Sequence, residues 1–586
     1  MSSSVDEQVG LALRVIDDAW SELARSQQPF FRTLGLPRVA EEDIRRKSAV
    51  GRDLLSRIDR LELATLPDEL ALTVQVARWR AATWANEHEW YWTVFDPMGV
   101  GLFAQFAATA YCGGFVLNLA LTALQNFRFT ETADCDRYLA LVSDYARLVD
   151  QLAARTRGQT ARGIRMPRVQ AAEAQPLVRR LGQHSQQALG VADERLAAID
   201  AGGFMSELRR RIAERIVPAF EAFAAEVGPE YVAAAPEAVG MAHYPRGRET
   251  YAALVKLQTT LDITPEQVHA TGLQRMAQIR AQMAAIRAEE RFAGDDCSYR
   301  AMLDADERWR ARDSDAVASF FQSYIDRIKS RLDSYFFFGP KAGYGVRPLP
   351  PALEATMTFG YYDEPKPDCP EGYFFFNAAN LTKAGLYNLG PLTYHELVPG
   401  HHFHFATQQE NPALHPLRLY SFVNAYNEGW AEYAATLAGE MGLYPQPAER
   451  FGRLVMDAFL TCRLVVDTGM NALGWSLERA REYMRENSFM PETEIRSESV
   501  RYSCDIPAQA LAYKLGDAEI LQMRERMRSA LGASFDIREF HDAVLRPGAL
   551  PLPLLTAHAA KQTKRRLQAS IATVAVAEEK RQPETE

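Results

Sequence analysis

The amino-acid sequence predicts a mainly α protein: a large, two-lobed, multi-helix body with one small antiparallel sheet beside a deep cleft. Three observations carry this. Apolar residues recur at spacings of three and four from about residue 5 to 330, as in TVQVARWRAATWANEHEWYWTVF, with few strand signals. Between 337 and 392 Gly, Pro, Tyr and Phe accumulate and the helical period disappears. From Pro391 to about Gln568 the helical period returns. At 586 residues the chain exceeds what one hydrophobic core usually serves. We divide it into a helical lobe over 1–235 that covers the cleft, a second lobe over 236–570 holding the sheet, and a solvated tail over 571–586.

The elements follow in order. Between Asp96 and Arg128 the chain carries no charged side chain over a length sufficient to span a bilayer. Its Gly99, Gly101, Gln105, Gly113, Gly114 and Asn118 argue against spanning, so it is expected to form two buried helical segments joined at Cys112-Gly113-Gly114. Thr264-Pro265-Glu266 supplies a capping hydroxyl, a proline at the first helical position and an acid in the first turn, which predicts a long helix through about Arg291. Short strands are expected near 355–362 and 372–377, joined by the proline-rich turn DEPKPDCP. Such a sheet can hold an extended ligand along its edge, with Tyr373 and Asn377 as candidate contacts.

Composition narrows the function classes. Sixty-six Lys and Arg against 75 Asp and Glu give a net charge of −9 with no basic run, which disfavours nucleic acid and anionic membrane as partners. The six cysteines are scattered without a CxxC pair, so reduced thiols are expected rather than a cysteine zinc knuckle. The start MSSSVDEQVG lacks the basic and apolar blocks of an export signal, and a cytoplasmic location is expected. The sequence is silent on oligomeric state.

Chemistry concentrates where four of the eleven histidines fall together, in His395-Glu396-Leu397-Val398-Pro399-Gly400-His401-His402-Phe403-His404. His-Glu on a helix is the first half of the HExxH zinc pattern, but Pro399 stands where the second histidine should be. In an unbroken helix His395 and His401 diverge, while His395 and His402 lie about 10 Å apart along the axis. Pro399 removes a helical hydrogen bond and Gly400 tolerates distortion, so a bulge there would bring His401 beside His395, with His402 as the alternative ligand. A hydrolytic zinc site needs a third protein ligand and an open position. Glu428 and Glu432, four apart in Asn427-Glu428-Gly429-Trp430-Ala431-Glu432-Tyr433, share a helix face. Glu428 is chosen as the ligand and Glu432 as the carboxylate that orients a histidine.

These residues resemble the domain-of-unknown-function 885 family, whose pattern HExxPGHH followed by EGWAxY is matched by His395 to His402 and Glu428 to Tyr433. The resemblance extends from about residue 20 to 565 through His243-Tyr244-Pro245, the strand Gly372 to Asn377, Arg501-Tyr502 and Pro507 to Gly516. It implies a helical zinc metallopeptidase of gluzincin type, one Zn2+ per chain on His395, His401 and Glu428, with Glu396 as general base. Many members are exported lipoproteins, and from its opening residues this chain is expected to depart from them. Tyr513, Tyr502 or Arg501 could stabilise the oxyanion, and Arg501 with Lys514 could clamp a substrate carboxylate. The expected reaction is hydrolysis of an amide bond in a short peptide or peptide-like molecule. The rivals are a tailoring amidase of a specialised pathway and a catalytically silent peptide-binding protein. Di-iron chemistry is disfavoured because only one Glu-x-x-His pair, Glu266 with His269, is present.

Overall fold

The computed structural model describes residues 5–26, 35–350, 354, 359–366 and 369–579, with side chains to residue 569. It is mainly α, as the periodicity requires. The N-terminal part is built from α1 (Val5–Ser26), α2 (Glu41–Ile58), α3 (Asp68–Trp90), α4 (Ala133–Ala161) and α5 (Arg168–Ala188), with shorter helices between and after them. One core is formed by residues from Leu36 to Tyr244, with Cys504 as the contribution from elsewhere. Leu72 and Val76 of α3 instead join the core around the later helices, and Arg80 donates to the Phe422 carbonyl at 2.6 Å. Helix α3 therefore belongs to both halves.

The uncharged stretch is mostly buried but forms one helix, Phe115–Gln125, entered through a wide turn at Ala110–Gly114. The expected first helical segment is instead a buried loop. Asp96 explains it: its carboxylate accepts from the backbone of Gly99 at 2.8 Å and Gly101 at 2.7 Å, and both glycines have positive φ. Among the described residues no helix is long and apolar enough to cross a membrane.

The second half begins with α6 (Gly247–Thr259) and α7 (Pro265–Glu289), the latter opened by the Thr264 cap reinforced by the Gln267 side chain. The sheet follows α8 (Ser314–Lys329) and comprises β1 (Tyr344–Pro348), β2 (Gly360–Asp363) and β3 (Gly372–Phe376) in the order β1-β3-β2. It is mixed rather than antiparallel: β2 runs antiparallel to β3, but β1, absent from the sequence expectation, pairs parallel with it. The long connection from β1 back to β3 permits the parallel pairing. Residues 355–358 of the expected first strand lie outside those described. Phe374 and Phe376 point into the core against Phe321 of α8.

Five helices carry the site: α9 (Leu389–Glu396), α10 (His401–Gln409), α11 (Asn424–Glu440), α12 (Pro447–Asn471) and α13 (Ala512–Leu531). The last helix, α14 (Leu552–Glu579), runs on past residue 571, where the tail was expected to begin; 580–586 lie outside the described residues. Helices α11 and α13 cross at a glycine pair. A Cβ on Gly429 would stand 2.5 Å from the Gly516 Cα, and one on Gly516 would stand 2.1 Å from the Ala425 carbonyl oxygen. Gly516→Ala must push these helices apart, and a loss of about 1–3 kcal/mol is expected. Denaturant unfolding checks this; an unchanged midpoint would show that the close crossing is dispensable.

Candidate metal centre

Helix α9 ends at Glu396 and α10 begins at His401, so the chain breaks where a bulge was expected. The Val398-Pro399 peptide is cis, and Leu397 and Gly400 take non-helical angles. Gly400 has φ −81, so it is needed for space rather than handedness: a Cβ would lie 1.9 Å from the His395 carbonyl oxygen and 2.4 Å from that of Tyr394. The Trp430 indole donates to the Pro399 carbonyl at 2.8 Å and pins the turn to α11. This reversal, rather than a bulged helix, brings His401 back over His395.

The result is a convergence of acceptors. Glu428 Oε2 lies 3.2 Å from His401 Nε2 and 3.6 Å from His395 Nε2, and among the described residues these three form the group able to share an ion. Tetrahedral zinc with ligand bonds of about 2.0–2.1 Å places neighbouring ligand atoms about 3.3–3.4 Å apart. The observed spacings bracket that value. Each histidine has a partner on its other nitrogen: His395 Nδ1 meets Glu432 Oε1 at 3.0 Å, and His401 Nδ1 meets His404 Nε2 at 3.2 Å. With those nitrogens donating, both Nε2 lone pairs face the Glu428 carboxylate, whose Oε2 is buried without a hydrogen-bond donor. Three facing acceptors call for positive charge, either a metal ion or protons on the imidazoles. Burial alone would lower the His395 pKa, yet hydrogen bonding to Glu428 and Glu432 lifts it to about 10. Burial would raise the Glu428 carboxyl, but the two imidazoles hold it far below the carboxylate range.

Glu432 is fixed from behind. Its Oε2 takes Arg453 at 3.0 Å and lies 3.5 Å from Lys514 Nζ, while Lys514 meets Asp517 at 2.6 Å and Asp457 at 3.0 Å. Lys514, expected to bind substrate, is thus consumed by three carboxylates in the interior. Tyr502 is likewise fully buried, bonded to Glu498 and Arg463, and offers no hydroxyl to a substrate. His402 uses both nitrogens elsewhere, Nδ1 with the Tyr362 hydroxyl at 2.9 Å and Nε2 with the Ala342 carbonyl at 3.1 Å, so it is not placed as an alternative ligand. Tyr373 sits on the central strand, flanked by β1 and β2, with its ring under Arg347 and its hydroxyl on Glu371; it has no sheet edge to offer. Asn377 is wholly buried and caps the short helix Ala378–Leu381 while donating to the Glu354 carbonyl at 2.8 Å.

Glu396, Tyr513 and Arg501 remain near the centre. Burial pushes the Glu396 carboxyl up, against the pull of the His395 and His401 rings. Tyr513 stacks on His395 with ring centres 6.1 Å apart. Its phenol is pushed up to about 12 by burial and by the Glu428 charge, so it is a proton donor at neutral pH. Arg453 and Gln509 were not singled out in the sequence, and His404 was read there as structural. His404 was visible in the cluster as the third residue after His401, on the same helical face, whereas no spacing rule links Arg453 or Gln509 to the histidines.

Residues 33–558 match the family model described as "Bacterial protein of unknown function (DUF885)". The chain belongs to that family. The fold is similar to that in the crystal structure of a "putative lipoprotein" from Colwellia psychrerythraea, with a TM-score of 0.82, 24% identity, and coverage of 96% of this chain and 100% of that one. A lipoprotein of unknown function from Shewanella oneidensis, similarly described, aligns at a TM-score of 0.72 and 17% identity over 95% of this chain and 99% of its own. None of the curated proteins matches. Both neighbours are described as "putative lipoprotein", which runs against the expectation of a cytoplasmic protein.

Proposed function

We propose that this family member is a zinc-dependent hydrolase that cleaves an amide bond in a short peptide or peptide-like molecule. The observation that supports it is the convergence of His395 Nε2, His401 Nε2 and Glu428 Oε2 on one point, each histidine oriented by a partner on its far side. An ion held there supplies Lewis acidity toward the carbonyl and lowers the pKa of water.

The chain's own residues supply the rest. Glu396, next in sequence to His395, accepts the proton that water loses on attacking the carbonyl carbon, and returns it to the amine as the C–N bond breaks. Water is divided between the two products, so no other reactant is needed. Tyr513 is neutral at working pH and donates its phenolic hydrogen to the oxygen on which charge develops. Glu432, locked by Arg453 and Lys514, keeps His395 in the tautomer that leaves Nε2 free. The buried ion pairs behind it fix the imidazole before any ligand arrives.

The test uses the purified full chain. Metal analysis should give about one zinc per chain. Chelation should lower the thermal midpoint, because an ion that binds only the folded state stabilises it. Mass spectrometry of a mixed short-peptide library should show cleavage that chelator abolishes and zinc restores. Absence of bound metal together with absence of metal-dependent cleavage would overturn the reading.

A further inference from the structure

Next to the metal centre two guanidinium groups share one carboxylate. Arg501 donates from Nη1 to Glu498 Oε1 at 3.2 Å, and Arg463 donates from Nη2 to Glu498 Oε2 at 3.1 Å. The remaining partners are neutral: Arg501 Nη2 goes to Gln509 Oε1 at 2.7 Å, and Arg463 Nε goes to the Tyr502 hydroxyl at 2.8 Å. The Nε of Arg501 is buried without an acceptor. Both guanidiniums stay charged, since Glu498 and the surrounding tyrosines offset the cost of burial. The nearby acids do not neutralise the pair by contact. Asp467 is taken up by the Tyr251 hydroxyl, Asn471 and the Ala508 backbone, and Asp505 by Thr109 and the Tyr111 backbone. Burial also pushes both of these carboxyls up to about 7, so each is partly protonated at neutral pH.

The pair is connected to the reaction centre. Arg463 lies over the Tyr513 ring at 4.8 Å, and Gln509 bridges Arg501 to Tyr513, whose ring stacks on His395. The Arg501 side chain keeps 14% of its surface, the same fraction as Glu428, whereas Lys514 keeps 4% and is held by acids. Of the two cations expected to meet a substrate carboxylate, Arg501 is thus the more exposed and the less enclosed by acids.

We propose that Arg501, backed by Arg463, is the subsite for the terminal carboxylate of the substrate, so that the substrate class is short peptides with a free C-terminus, cut near that end. This rests on the hydrolase reading given above, and the binding arm of the test separates the two.

The probes are an N-acylated glycyl-phenylalanine with a free carboxylate and the same molecule as its C-terminal amide. Calorimetry on zinc-loaded Glu396→Gln should show the acid binding at least about tenfold more tightly than the amide, the size expected for a charge-assisted hydrogen bond. Arg501→Gln in that background should erase the preference, and Arg501→Lys should restore part of it. Should Arg501→Gln fail to fold, the preference itself and its reduction in Arg501→Lys decide. Equal binding of acid and amide would overturn the subsite even if the native enzyme hydrolyses both. A preference for the acid without hydrolysis by the native enzyme would leave the subsite standing and remove the hydrolase.

Discussion

Glu396→Gln is expected to leave the ion bound and to slow amide hydrolysis by about 10²–10⁴-fold, the range that a positioned general base contributes. The substitution keeps shape and volume, and Glu396 is not among the three side chains that converge on the candidate ion position. Metal content and thermal midpoint should therefore match the native protein while turnover collapses. Glu396 sits at the last position of α9, beside His395 and within the field of His401, in a buried setting that disfavours a charged carboxylate. That setting makes it a stronger base than a solvated glutamate, which is what removing a proton from water requires. Unchanged turnover in the variant would remove Glu396 from the mechanism; loss of metal along with turnover would make it a ligand instead.

The second large effect separates two adjacent histidines. His401→Ala should abolish metal retention, exceeding the about 10–100-fold weakening expected when an outer partner such as Glu432 is lost. His402→Ala should keep the metal and lower stability, because it leaves the Tyr362 hydroxyl and the Ala342 carbonyl without their partner. Metal analysis after gel filtration, set beside denaturant unfolding, reads both quantities. The opposite ranking would place His402 on the ion and contradict the present geometry.

Much of the site was legible in the chain. The clustered histidines and the Glu428 and Glu432 pair at helical spacing identified the converging groups, because residue type and a four-residue repeat are properties of the sequence itself. The route by which they meet was not legible. A bulge within one helix and a break between two helices satisfy the same reading of Pro399-Gly400, and what distinguishes them is the Trp430 indole reaching the Pro399 carbonyl from another helix. The sheet shows the same limit. All three strands fall where Gly, Pro and aromatic residues accumulate, but β1 gains its place only by pairing in parallel across a long connection.

Lys514, Tyr502, Tyr373 and Asn377 mark the boundary from the other side. Each has chemistry suited to a ligand, and each is satisfied by protein: Lys514 by Asp457, Asp517 and Glu432, Tyr502 by Glu498 and Arg463, Tyr373 by Glu371 and Arg347, and Asn377 by backbone. A sequence states what a side chain can donate or accept; it does not state who is near enough to take the offer.

Helical class, the presence of the metal-type donors and their motif order were therefore settled by local pattern, since these depend on residues within a turn or two of each other. Which donors converge, which cations are already paired and which strand lies in the middle were decided only by packing. Those outcomes depend on distances between segments that the chain separates by tens to hundreds of positions, and on burial that leaves each polar group with the partner it first meets.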